Sequence, residues 1–158
     1  MPTIHSCELP AGALLDRYRT SGAYADCYMT EVARAVSHPE FVEAFYTTAL
    51  FKLERLILAF FASRPCTDAQ VRQLARGELR SFAAWSVEDR SHNQVLLRDF
   101  TGRTRSWLMV SAGPDCIGTR LYFGSAIVPV GPAFNALLGF HKLYSRLLLR
   151  AGASKLQR

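Results

Sequence analysis

From residue 82 onward, apolar and polar positions alternate with a period of two. The alternation predicts strands over 83–88, 94–100, 104–111 and 119–128. Turn residues separate them: Ser91-His92-Asn93, Thr101-Gly102, and Ala112-Gly113-Pro114-Asp115. Such short links join antiparallel neighbours, so these strands form a meander. An earlier strand is predicted over Tyr24–Val32, with Tyr28, Thr30 and Val32 on one face and Cys27, Met29 and Glu31 on the other.

Between these two regions the period lengthens. Ser37 can cap a helix, Pro39 suits its first turn, and Glu40 completes a capping box. The helical pattern runs to about residue 63, with a bend near Thr47-Thr48. It places Phe41, Phe45, Ala49, Leu53, Leu56 and Phe60 on one face before Arg64-Pro65 ends it. Thr67-Asp68-Ala69-Gln70 opens a second helix, to about residue 78. Pro129, Gly131 and Pro132 stop the last strand, and a closing helix follows over 133–151, with Gly152 at its end. The pattern is that of one α+β domain over 1–158, with 1–23 as an N-terminal arm and 152–158 as a tail. An antiparallel sheet packs against the C-terminal helix, and two or more helices follow the first strand.

A chain of 158 residues fits one domain, and a hydrophobic content of 49% excludes disorder. The net charge is +6, and 16 of the 19 basic residues are Arg. They are dispersed, with no block of five like charges and no nucleic-acid-binding signature, so nucleic acid is not an expected partner. The longest apolar run, residues 56–62, is too short to span a bilayer. Cys7, Cys27, Cys66 and Cys116 are far apart and form no C-x-x-C. With no secretory signal pattern, a reduced, cytoplasmic compartment is expected. The four histidines pair with no Cys or carboxylate at metal-ligand spacing, and neither a phosphate loop nor a G-x-S-x-G elbow occurs. Neither metal nor cofactor is expected.

The closing helix is the most informative element. Lys142, Arg146 and Arg150 form one basic stripe; Leu137, His141, Tyr144 and Leu148 lie opposite, flanked by Phe134. An imidazole and a phenol among aliphatic residues are either core groups with buried partners or the polar hooks of a ligand cavity. On the sheet, the expected inward face carries Trp85, Val87, Val95, Leu97, Asp99, Arg105, Trp107 and Met109, and in the last strand Leu121, Phe123 and Ile127. Asp99 and Arg105 are its charged exceptions. They could form an ion pair at a pocket mouth, or Arg105 could hold a ligand carboxylate; alternatively Asp99 opens a type I turn ending at Gly102.

The order of elements, one strand, two helices, an antiparallel run and a closing helix, resembles the START-like (SRPBCC, Bet v 1-like) helix-grip superfamily. The stretches HPEFVEAFYTTALFKLERLIL, LLRDFTGRTRSWLMV, TRLYFGSAIVPV and FNALLGFHKLYSRLLLRA also resemble an uncharacterised bacterial family near that superfamily. The likeness covers roughly residues 24–151 and brings no catalytic motif. It implies a hydrophobic cavity under the C-terminal helix, lined here by His141, Tyr144, Trp85, Trp107, Phe134, Leu137, Asp99 and Arg105. It also implies a small apolar or amphipathic, lipid-like ligand. The usual fold has six strands after the helices, against four counted here. The leading expectation is a binding protein without catalytic residues. The alternatives are a cyclase or isomerase using His141, Tyr144 and Asp99 as acid–base groups, or transient anionic-membrane or partner contact through the basic stripe. A homodimer through Phe140, Leu143 and Leu147 is a further option.

Overall fold

In the computed structural model, residues 1–53, 66–114, 116–127 and 134–158 are described, with the side chains of 134–137 excepted. The elements are β1 (His5–Ser6), α1 (Asp16–Thr20), β2 (Tyr24–Val32), α2 (His38–Tyr46), α3 (Asp68–Ala75), β3 (Ser81–Phe82), β4 (Trp85–Arg90), β5 (Gln94–Asp99), β6 (Thr104–Ala112), β7 (Thr119–Ile127) and α4 (Phe134–Leu156). The fold is α+β: an open antiparallel sheet of seven strands, ordered β1-β2-β7-β6-β5-β4-β3, with the C-terminal helix packed on it.

Both capping boxes form. The Ser37 and Thr67 side chains accept from the Glu40 and Gln70 amides, while those residues reach back to the cap amides. Helix α2 breaks at Thr47–Thr48, where the Thr47 hydroxyl donates to the Glu43 carbonyl, and residues 49–53 are helical again. The predicted continuation over 54–63, with Leu56 and Phe60, and the Arg64-Pro65 stop lie outside the described residues. So do Asp115 and the proline-glycine segment 128–133. Helix α3 stops at Ala75, short of the expected residue 78. Gly77 takes φ +79° beyond it, and the Arg90 guanidinium donates to the Leu74 and Ala75 carbonyls.

Three expectations gain detail or need correction. First, the arm 1–23 has structure of its own. It contributes β1 and α1, and it covers the sheet face opposite the helices with Ala13, Leu15, Leu9 and Tyr18 packed on Leu96, Trp107, Met109 and Ala126. Gln94 anchors it: its Oε1 accepts from the Leu14 amide and Trp107 Nε1, and its Nε2 donates to the Gly12 carbonyl. Second, β6 is turned over. Ser106, Leu108 and Val110 face the helices, while Arg105, Trp107 and Met109 face the arm. With both faces covered, residues 105–109 are all buried, so their polarity carries no facing signal. Third, Gly152 does not end α4. The helix continues to Leu156, burying Ala153 and Leu156. A Cβ at 152 would lie 3.3 Å from Phe45 Cα, so the glycine sets the close crossing of α4 over α2.

The main core lies between the sheet and the helices. It joins Phe41, Phe45, Tyr46, Leu97, Leu108, Leu121, Phe123, Leu148 and Leu149. No helix among the described residues is long and apolar enough to cross a membrane.

Candidate functional site

Within that layer is a cavity of about 190 Å³, walled by Phe45, Phe51, Trp85, Phe123, Tyr144 and Leu148. Its polar lining is Thr104, Ser106, Ser125, His141 and Ser145. Strand pairing sets these positions. Ser106 lies opposite Ser125 in the β6–β7 register, so two small hydroxyl side chains stand together under the helix. The Ser106 hydroxyl is 2.8 Å from the Tyr46 hydroxyl. On α4, one helical turn separates His141 from Ser145, whose Oγ lies 3.5 Å from His141 Nε2.

Asp26 borders this patch from β2. Its register partner is Ser125, whose amide donates to Asp26 Oδ1 at 3.0 Å. The Tyr24 hydroxyl donates to Asp26 Oδ2 at 3.0 Å, and His141 Nε2 is 3.8 Å from the same oxygen. The carboxylate side chain is 9% exposed and the imidazole 23%. Burial pushes the Asp26 pKa up, against the opposing pull of His141, Tyr24, Ser125 and Lys142. Burial pushes His141 down, against the attraction of Asp26. Tyr24 is held above the ordinary phenol range by burial and then by the Asp26 charge. The arrangement sets a carboxylate that lines the neighbouring open groove beside an imidazole that lines the cavity.

Of the residues expected from sequence, His141, Tyr144 and Trp85 meet at the cavity. Trp107 does not; it lies on the arm face, fully buried against Tyr122 and Leu96. Arg105 borders the cavity, but its guanidinium turns to the arm face. There it pairs with Glu88 at 3.2 Å, donates to the Tyr18 hydroxyl and the Gly102 carbonyl, and lies over the Tyr18 ring. It is a satisfied structural cation, not a carboxylate hook. Asp99 is the turn residue: its carbonyl accepts from the Gly102 amide and its carboxylate from the Thr104 amide and Thr101 hydroxyl. The side chains of Phe134 and Leu137 lie outside the described residues. Asp26 was missed, although the period of β2 puts it on the same face as Tyr28 and Val32.

The basic stripe is exposed, and it borders a larger open groove of about 700 Å³. Lys142, Arg146 and Arg150 stand there with Arg19, Leu143 and Leu147, opposite Cys7, Cys27 and Tyr24. Among the described residues no group of three or more His, Cys, Asp or Glu could hold a metal ion. Comparison with protein-family models finds no match for this chain, and comparison with curated proteins finds none.

Proposed function

We propose that this protein binds a small, mostly apolar molecule in the cavity under α4, in a START-like, helix-grip arrangement. The observation that carries the reading is Trp85. It lines the cavity, and its Nε1 is buried without a hydrogen-bond partner among the described residues. A buried donor left unpaired costs on the order of 1–3 kcal/mol, which a bound acceptor would recover once the indole turns its Nε1 into the cavity. Aromatic walls with a few convergent polar groups are the ordinary make-up of a ligand site. Element order supports the superfamily reading: β2, then the helices, then an antiparallel run, then α4. Among the described residues five strands follow the helices, with β3 added to the four expected.

Size narrows the ligand. Pockets for drug-sized molecules run to about 300–1,000 Å³, and this one is smaller. The occupant is a compact molecule with an aromatic or short aliphatic body and one carbonyl or hydroxyl acceptor, not a whole lipid. Thermal-shift assays against small aromatic ketones, phenols and short-chain acids, with native mass spectrometry of fresh protein, test this. The expected result is stabilisation by at least one compound, reduced by Trp85→Phe. No shift from any compound, and no co-purified mass, overturns it.

One observation favours a second reading, an acid–base enzyme of the isomerase or cyclase kind. Asp26 replaces the displaced Asp99 as the carboxyl partner of His141. Burial keeps the imidazole neutral near pH 7 and able to accept a proton from a bound carbon acid, while Asp26 stabilises the imidazolium that forms. Any compound found to bind is incubated in deuterated water. Exchange that is lost in His141→Gln supports this reading, and unchanged exchange in the variant overturns it.

A further inference from the structure

Cys7 and Cys27 are 20 residues apart in sequence and adjacent in space. The register that pairs Ser6 with Tyr28 continues by one residue, so the two cysteines face each other across the β1–β2 edge, and the Cys7 amide donates to the Cys27 carbonyl at 3.0 Å. Their Sγ atoms are 3.4 Å apart and both thiols are free. Directly opposed residues of antiparallel strands have Cα atoms about 5.5 Å apart, inside the range a disulfide spans. Cys7 is half-buried and Cys27 buried, and both border the open groove beneath the basic stripe.

We propose that Cys7 and Cys27 form a reversible dithiol–disulfide site, oxidised by low-molecular-weight disulfides that enter through this groove. The Cys7 thiolate attacks one sulfur of oxidised glutathione. The S–S bond of that molecule breaks, and one glutathione thiolate leaves, taking up a proton. Cys27 then gives its proton to solvent and attacks the Cys7 sulfur, expelling the second glutathione. The two protein thiols lose two electrons and two protons, and one glutathione disulfide becomes two glutathione thiols. Cys7 is the entry point because it is the more accessible of the pair. The hydrogen bond shared by the sulfurs also holds the Cys7 thiol below its ordinary range and pushes Cys27 up, which divides the roles of attacking and resolving thiol. The product staples the N-terminal arm to β2, one residue from Asp26.

The experiment uses the full chain, with Cys66 and Cys116 as internal controls, the latter exposed. Protein is incubated with oxidised glutathione, alkylated, digested with trypsin and mapped by mass spectrometry. The expected result is a linked pair of peptides, residues 1–17 with 20–34, that loses two hydrogens on formation and separates under dithiothreitol. A Cys7→Ser variant, altered at the half-buried member, stays folded by circular dichroism and loses that pair. The proposal is overturned if Cys7 and Cys27 remain fully alkylatable, or if linkages to Cys66 and Cys116 form as readily as the 7–27 link.

Discussion

His38 is buried in the first turn of α2, with Nε2 3.3 Å from the Leu108 carbonyl oxygen. Burial lowers its pKa from 6.5 to about 4; the carbonyl opposes this, and the charge of Arg90 adds to it. The folded value lies below the unfolded one, so the unfolded chain takes up the proton first as pH falls. The stability this group preserves is whole above about pH 6.5 and is lost through pH 4. The loss is on the order of 3 kcal/mol. Urea unfolding at pH 7 and pH 4 should therefore show a smaller drop for His38→Gln than for the parent chain. His141 acts in the same direction, whereas Asp26, raised by burial, contributes stability that fades as pH rises through its folded value. At this scale the sequence was readable where a side chain's role is local. Ser37, Thr67 and the Asp99 turn were legible because caps and turns are settled within a few residues. Asp26 was not, because its meaning comes from a histidine more than a hundred positions away.

Elements were legible wherever the larger apolar side chains keep to one face. Strand β2 was bounded as predicted, and β7 turns Leu121 and Phe123 to the helices as its alternation implied. Strand β6 failed because apolar groups fill both of its sides. One glycine was misread for a related reason. Gly152 stands inside α4, where it costs about 1 kcal/mol of helix propensity relative to alanine, and what it provides is proximity to Phe45. Gly152→Val should destabilise the protein by about 1–3 kcal/mol, since the nearest obstacle is backbone and cannot rotate away; a chemical-denaturation midpoint measures it. Gly124 plays the same part in β7, where a Cβ would fall 2.7 Å from Leu15 Cδ2 and 2.8 Å from the Asp26 carbonyl oxygen.

For the molecule as a whole, the α+β class and the strand order of the meander were legible, while the layering was not. The notion of a sheet with one covered face gave way to three layers: arm, sheet, helices. Charge and hydroxyl groups at the arm interface, Arg105 with Glu88 and Tyr18, are bound to one another and so are unavailable to a ligand. One feature of this topology reaches beyond the folded state. Strand β2 has only a two-residue neighbour on one side and β7 on the other, and the bond between Asp26 and Ser125 spans 99 positions. On the ribosome, the stretch that carries the acid is made 99 residues before the Ser125 that binds it. Until then both the carboxylate and the thiol beside it remain in water, so the chemistry of this site comes into being only after β7 and α4 have followed.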